Sequence, residues 1–334
     1  MKQRQIGSLE VSPIGMGCMG LSHGYGTIPS EGYSIEAIQK AHDAGCTFFD
    51  TAEIYGPNLQ VPGHNERIVG KAIKAFRHEV ALATKLHIPT EELKEKPLYE
   101  LVRTHLLGSL ERLQTEWVDL YYLHRVNPAV PVEAVAEVMG KLIREGLIRE
   151  WGLSQVGAAT LEKAHETCKV AAVQNLYNML ERDCEAQIFP YCLENGIAVV
   201  PFSPIASGLL SGKISASTQF EKVDDVRNFV PQLSKENLSA NLPFVGALAA
   251  FAARKGATSA QISLAWQLKK YPNAVPIPGS KNQGRILENL GAWNVVLSDE
   301  EFLELEQMLS AFKVRGHRGN VEYEGRSFLQ RDPK

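Results

Sequence analysis

Four residues able to handle a proton stand at, or just beyond, the ends of short apolar runs. Asp50 closes FFD, Tyr55 lies in the segment after it, Lys85 ends ATK and His124 follows YYL. Each has an ordinary structural reading as well: Asp50 with Lys85 as an ion pair, Tyr55 as a half-buried aromatic, His124 as a hydrogen-bonded core histidine. Brought to one place they could deliver a proton to a carbonyl oxygen. A free phenol titrates near 10, and lowering it by two units takes about 2.7 kcal/mol of preference for the phenolate. An ammonium about 4 Å away supplies roughly 4 kcal/mol at an effective dielectric of 20. Asp50 would keep Lys85 charged and oriented, and His124 could hydrogen-bond the carbonyl oxygen. Reduction also needs a hydride, which no side chain gives, so this chemistry implies a bound nicotinamide.

The elements that must position these groups follow from the hydrophobic pattern. Eight β-rich runs recur, at 14–17, 47–50, 80–84, 118–123, 148–153, 171–176, 197–202 and 274–277. Most of the intervals between them hold helical periodicity, as in βα units rather than hairpins. Leu98, Leu101, Val102, Leu106 and Leu110 share one helical face, as do Val132, Val135, Ala136, Met139 and Ile143. Leu161, Ala164 and Cys168 make a shorter stripe. Eight such units predict a parallel sheet closed into a barrel. An open Rossmann sheet would need an early G-x-G-x-x-G after a strand, and Gly15-Met16-Gly17 does not supply one. No Ser- or Gly-rich linker divides the chain, so one domain is expected over 1–334.

A parallel barrel opens the C-terminal ends of its strands onto one rim. There the sequence places Gly17, Cys18 and Met19 after the first run, then Asp50 with Tyr55, Lys85, and His124. Ser154 and Gln155, Gln174 and Asn175, Phe202 and Ser203, and Gly279, Ser280 and Lys281 come from the later runs or just beyond them. The polar stretch 214–241, ahead of a helix expected at about 243–255, breaks the regular spacing; it reads either as a lid over a ligand or as a passive insertion.

Composition narrows the function classes. Lys plus Arg number 35 against 38 Asp plus Glu, a net charge of −3, and no basic stretch interleaved with aromatics suggests a nucleic-acid groove. Five scattered cysteines without C-x-x-C or zinc-like spacing read as reduced thiols, several acting as small buried hydrophobes. No run is apolar enough for a signal peptide or membrane span, and a cytoplasmic protein is expected. The nine histidines show no metal-ligand spacing, and no G-x-S-x-G marks a serine hydrolase.

With these residues in view, several motifs in order along nearly the whole chain resemble the aldo-keto reductase family. They are FFDTAEIYG (48–56), the lysine of ATKL, the histidine of YYLHR, WGLSQ (151–155), VQNLYN (173–178), PFSPIASGLLSGK (201–213) and IPGSKNQGRILENLGA (277–292). The opening GMGCMGLSHGYG is similar to the bacterial, fungal and plant branch with pyridoxal reductase-like members. The resemblance implies an α/β fold, a (β/α)8 TIM barrel of one domain with an N-terminal β-hairpin and extra helices. It implies a catalytic set of Asp50, Tyr55, Lys85 and His124, with Tyr55 as acid in reduction and base in oxidation, and NADPH/NADP+ as cofactor.

Around that cofactor it implies Gly17, Cys18, Met19 and Asp50; Ser154, Gln155 and Gln174 on the carboxamide; and Phe202 on the nicotinamide ring. Ser203, Ile205, Ser207 and Lys213 would line the pyrophosphate, with Pro204 also at the cofactor. Lys281 and Arg285 would hold the adenosine 2′-phosphate, and Glu288 and Asn289 the adenine, with Gly279 and Ser280 also at the cofactor. Arg285 has the alternative reading of a solvated helix charge. Gln155 stands where many relatives carry asparagine, Phe202 where tyrosine or tryptophan is frequent, and Gly279 where some branches have lysine. The segment 57–64 is longer than usual. Arg125, next to His124, is a candidate anchor for an anionic or polar substrate group, or else an ion-pair partner of a rim carboxylate. The partner implied is a small carbonyl compound, with no metal and a monomer by default. Pyridoxal, dicarbonyls, sugar aldehydes and aromatic aldehydes all remain open. The alternative function is an NADPH-binding regulatory subunit with little turnover; a metal-dependent or Schiff-base lyase is a third reading.

Overall fold

Side chains alternate across a β-strand, and in this chain that alternation sorts two cores. The computed structural model describes residues 3–57 and 61–319. A hairpin of β1 (Arg4–Ile6) and β2 (Leu9–Val11) precedes a seven-stranded parallel sheet. The sheet runs in chain order: β3 (Met16–Gly17), β4 (Phe48–Asp50), β5 (Ala81–Leu86), β6 (Val118–Leu123), β7 (Ile148–Ser154), β8 (Ala172–Gln174) and β9 (Ala198–Val199). Phe48, Ala81, Ala83, Leu120, Tyr122, Ala172, Ala198 and Val200 pack in the barrel interior with Ile6, Leu9 and Val11 of the hairpin. Their neighbours Phe49, Leu82, Tyr121, Leu123, Trp151, Val173 and Val199 face the surrounding helices.

Those helices include α1 (Glu31–Asp43), α2 (His64–Ile73), α3 (Leu98–Leu113), α4 (Val132–Arg144), α5 (Ala158–Thr167) and α6 (Ile188–Glu194). They continue with α7 (Lys235–Lys255), α8 (Ser259–Lys270), α9 (Gln283–Leu290) and α10 (Asp299–Ala311). The expected stripes are buried on α3 and α4, except that Leu98 and Ile143 are only half-buried. No described helix is long and apolar enough to cross a membrane.

The eighth run departs from expectation. Residues 274–277 form no regular strand, yet the segment 274–279 closes the (β/α)8 barrel through a Val199–Ala274 bridge on one side and a Gly17–Gly279 bridge on the other. Val275 and Ile277 donate their N–H groups to the β9 side, at 2.8 and 3.1 Å from the carbonyls of Val199 and Pro201. The alternate positions toward β3 are Pro276 and Pro278, which have no N–H. That seam relies on Pro276 accepting from the Gly15 amide at 3.0 Å. A Cβ on Gly17 would lie 2.8 Å from the Ile277 carbonyl, so the seam closes only over glycine.

The helix expected at 243–255 begins earlier, at Lys235, because the Ser234 hydroxyl accepts from the Asn237 amide and caps it; Pro243 lies inside it. Within 214–241, residues 221–226 form a strap along loop 24–27. Tyr25 bridges Asp225 in antiparallel fashion, and the Gly26 and Val226 amides donate to the Asp224 and Gly24 carbonyls at 2.8 and 3.0 Å.

Gly152 faces inward beside Tyr122, where an added Cβ would come within 2.6 Å of the phenol ring and of the Ala172 carbonyl. Gly152→Ala should therefore destabilise the barrel by about 1–3 kcal/mol through overpacking, seen as a lowered midpoint of thermal unfolding. An unchanged midpoint would contradict the packing described for this layer.

Candidate active site

The inward register continues past the apolar filling. Asp50 lies two residues beyond Phe48, Lys85 two beyond Ala83 and His124 two beyond Tyr122. Ser154, Gln174 and Phe202 stand likewise above Gly152, Ala172 and Val200. The same alternation that packs the barrel thus carries polar groups onto its C-terminal end.

Lys85 has no solvent exposure. Its Nζ donates to Asp50 Oδ1, to the Thr51 carbonyl at 2.7 Å and to the Tyr55 hydroxyl at 3.4 Å. The other Asp50 oxygen accepts from Gln174 Nε2 at 2.8 Å. Burial alone would push Lys85 down, but the Asp50 carboxylate and the Tyr55 phenol outweigh it and hold the ammonium above the ordinary lysine range. The Tyr55 and His124 rings meet edge to face with centroids 5.7 Å apart. Burial, with the positive charges of Lys85 and Arg125 and with His87, holds His124 well below the usual imidazole range, so it is neutral at pH 7. Its Nδ1 is buried without a hydrogen-bond partner among the described residues.

Tyr55 differs from the sequence-based expectation of a lowered pKa. Burial raises the phenol, Lys85 and Arg125 lower it, Asp50 raises it again, and the net direction is upward. The Coulomb argument for Lys85 holds in sign but omits desolvation of the phenolate and the carboxylate paired with the lysine.

The Tyr55 turn is anchored from α2. Asn65 accepts from the Thr51 hydroxyl at 2.6 Å and donates to the Cys18 carbonyl at 2.9 Å and to Ser22 at 2.8 Å. Glu66, fully buried, accepts from Thr84 and Arg112, both at 2.6 Å. Residues 58–60 of the long 57–64 segment lie outside the described residues. Arg125 donates to the His124 carbonyl at 2.5 Å and to the Ser154 hydroxyl at 3.0 Å.

The other expected site residues divide into groups. Ser154, Gln155 and Gln174 are all buried, Gln174 donating to Asp50, and Gln155 accepts from the Leu176 amide while its Nε2 has no partner among the described residues. Gln155, Ser203, Ala206 and Ser207 all hold left-handed backbone, with φ of 58, 52, 49 and 54°. Pro204 is buried, its carbonyl accepting from Ser263 and Gln267; Phe202 and Ile205 are half-buried. Cys18 is buried and Met19 half-buried. Gly17 and Gly279 belong to the barrel seam, and Ser280 accepts from the Asn282 amide.

Lys213 pairs with Glu288 at 3.0 Å, Asn289 is buried, and Arg285 lies exposed on α9. Lys281 is already engaged: its Nζ donates to the Tyr25 and Thr27 carbonyls at 2.7 and 2.8 Å and to Glu221 at 3.1 Å. Glu221 also accepts from the Thr27 amide and hydroxyl, so strap 221–226 ties two rim loops to Lys281. Sequence reasoning missed that role of Glu221. It also missed Arg318, which reaches Ser203 Oγ at 3.4 Å from the C-terminal segment; no motif marks either residue.

Comparison with known proteins adds a second line. A family model described as Aldo/keto reductase family matches residues 13–310. A protein described as probable aldo-keto reductase 1 from Glycine max is 36% identical over 313 residues, 92% of this chain and 88% of the relative. A glycerol dehydrogenase from Gluconobacter oxydans is similar with a TM-score of 0.82 at 26% identity, over 93% of this chain and 95% of that one. An aldo/keto reductase from Klebsiella pneumoniae, solved with NADP and acetate, has a TM-score of 0.72 at 26% identity, over 96% and 100% of the two chains.

The electrostatics of His124 are directly measurable. Its ring resonances should show a neutral imidazole from pH 9 down to about 6, with no midpoint near the ordinary 6.5. Because the unfolded chain binds that proton more readily, this residue's contribution to stability should fall as pH drops below about 6.5. A midpoint near 6.5 in the folded protein would contradict the burial described.

Proposed function

The chain belongs to the aldo/keto reductase family, and from that premise we propose that it reduces an aldehyde or ketone to the alcohol with NADPH, Tyr55 giving the proton to the carbonyl oxygen. The protein is an NADP-dependent oxidoreductase by its family. The observation that carries the assignment of roles is the Tyr55 hydroxyl 3.4 Å from a fully buried lysine ammonium that is itself neutralised by Asp50.

Each side chain's role follows from its surroundings. Tyr55, held above the ordinary phenol range, is fully protonated at neutral pH and therefore present as the acid. As its proton leaves, the negative charge develops beside Lys85, and a fixed cation needs little reorganisation to meet it. Asp50 orients Lys85, and Gln174 orients Asp50. Neutral His124 offers a hydrogen bond to the carbonyl oxygen without competing as the acid. In the reverse direction Tyr55 takes the proton back. Arg125, close enough to influence both Tyr55 and His124, is placed to meet a polar or anionic substituent on the substrate.

Two observations support a bound dinucleotide. Gln155 Nε2 is a buried donor without a partner among the described residues, suited to a carboxamide oxygen. Ser203, Ala206 and Ser207 hold a conformation that costs an L residue about 1–3 kcal/mol, and such stretches can turn backbone N–H groups toward a phosphate. On this reading Ser154, Gln155 and Gln174 hold the carboxamide and Phe202 the ring, above the rim formed by Gly17, Cys18, Met19 and Asp50. Ser203, Pro204, Ile205, Ser207 and Lys213 hold the pyrophosphate, with Gly279 and Ser280 alongside. Lys281 and Arg285 take the 2′-phosphate, and Glu288 and Asn289 the adenine. When bound, NADPH supplies the hydride. The phosphate would replace Glu221 on Lys281, and strap 221–226 then acts as a clamp rather than a passive insertion. We assign the reaction to the whole chain as one barrel unit working in the cytoplasm as a monomer.

Tyr55→Phe should lower turnover of an aldehyde panel by about 10²- to 10⁴-fold while the Kd for NADPH stays unchanged. Retained turnover, followed by loss of NADPH absorbance, would remove Tyr55 from the acid's role. Lys281→Ala combined with Arg285→Ala should raise the Kd for NADPH at least about tenfold and leave that for NADH nearly unchanged, since charge-assisted bonds to the extra phosphate are lost. Equal losses for both would count against the phosphate assignment.

A further inference from the structure

The turn that carries Tyr55 also carries Glu53, and Glu53 points away from the reaction into a cluster that the roles above do not use. It is 6% exposed, and its Oε1 accepts from the amide of His87, two residues beyond Lys85. Its own carbonyl accepts from the Gly63 amide at 2.5 Å. Its Oε2 faces His105 of α3, with Nδ1 at 2.8 Å, and the other ring nitrogen of His105, Nε2, lies 3.1 Å from Glu92. Both nitrogens therefore face carboxylate oxygens. A neutral imidazole has one N–H and can satisfy only one of them, leaving a lone pair against a negative charge; the imidazolium donates to both.

We propose that His105 is a positioning residue for the reaction: as a cation bridging Glu53 and Glu92, it holds the turn bearing Tyr55 in register with the strand bearing Lys85. The inference rests on the reading of Tyr55 as proton donor. The same turn links both ends of the proton-transfer pair, through Glu53 on the Tyr55 side and the His87 amide on the Lys85 side. Loss of the bridging charge frees Glu53 to swing toward solvent and leaves the 3.4 Å Tyr55–Lys85 contact without that support.

The titration has a defined direction. The hydrogen bond that the ring donates to Glu53 raises His105 most, burial opposes it, and Glu92 adds to the rise, bringing the imidazole up to about 8. From β6, the buried Tyr121 phenol shares only Glu53 with His105; burial, Glu53 and Glu66 keep it well above the ordinary range, and Arg112, which pairs with Glu66, lowers it. A group raised in the folded state contributes fully below its unfolded value near 6.5 and loses that contribution as pH rises through about 8.

The test uses the intact protein with NADPH and benzaldehyde, or the fastest aldehyde of a panel, measuring kcat/KM from about pH 6 to about pH 10. It is run alongside the ring titration of His105 by NMR. The wild type should lose activity with an inflection near the His105 midpoint. Glu92→Gln, at a half-exposed position, should keep the low-pH plateau and move both the inflection and the ring midpoint to lower pH together. His105→Asn should lower kcat/KM roughly tenfold at pH 7, abolish the inflection and leave the Kd for NADPH unchanged. A ring midpoint that moves in Glu92→Gln while the rate profile stays fixed would overturn the positioning role alone, as would an unaltered profile in His105→Asn. Full turnover by Tyr55→Phe would instead overturn the proton-donor reading, and the positioning role with it, while the NMR shift in Glu92→Gln remained.

Discussion

An ammonium with no access to water stays charged only if the protein replaces its hydration. Lys85 meets that condition with a carboxylate, a backbone carbonyl and a phenol, and each partner comes from the β4 end or the turn after it. Removing one member of such a buried pair costs about 3–5 kcal/mol, because the remaining charge is stranded. The geometry of the β4 turn is therefore not free to vary. Asp50 must sit opposite Lys85, the Thr51 carbonyl must point inward, and Tyr55 arrives at the lysine as a consequence. Gln174 of β8 and Asn65 and Glu66 of α2 secure the same arrangement from two other elements.

The barrel supplies this precision through register rather than through any single contact. Parallel pairing aligns Lys85 with Tyr122, Tyr122 with Gly152 and Gly152 with Ala172, so inward positions of neighbouring strands lie in shared layers. A slip of one residue in any strand would send its polar terminal residue toward the helices. The large Tyr122 ring beside Gly152 fills the layer beneath Asp50, giving the reactive groups a rigid floor.

Much of this was legible in the sequence because apolar runs ending in Asp50, Lys85 and His124 reveal both the strand and the face on which its last polar residue lies. The expectation of a barrel rested on the same pattern. What escaped had physical causes. The direction of the Tyr55 shift depends on desolvation, which spacing does not contain. The partners of Lys281 come from loops some 60 and 250 residues away in the chain, and the His105–Glu53 pair spans 52. No local signal joins them. The eighth run reads as a strand by composition, but its alternating prolines leave it bridges in place of a ladder. The start of α7 was hidden because the capping Ser234 sits in a polar stretch that resembles loop.

Those prolines bear on how the chain avoids aggregation. Before the barrel closes, or whenever its seam opens, the free margin of the eighth segment presents carbonyls but, at Pro276 and Pro278, no N–H groups. A strand from another molecule could not extend that margin into a continuous ladder, since every second donor is missing. The flank that pairs with β3 is thus unattractive to foreign partners, while β3 can still recognise it through the Gly15 amide and the glycine-only approach at Gly17.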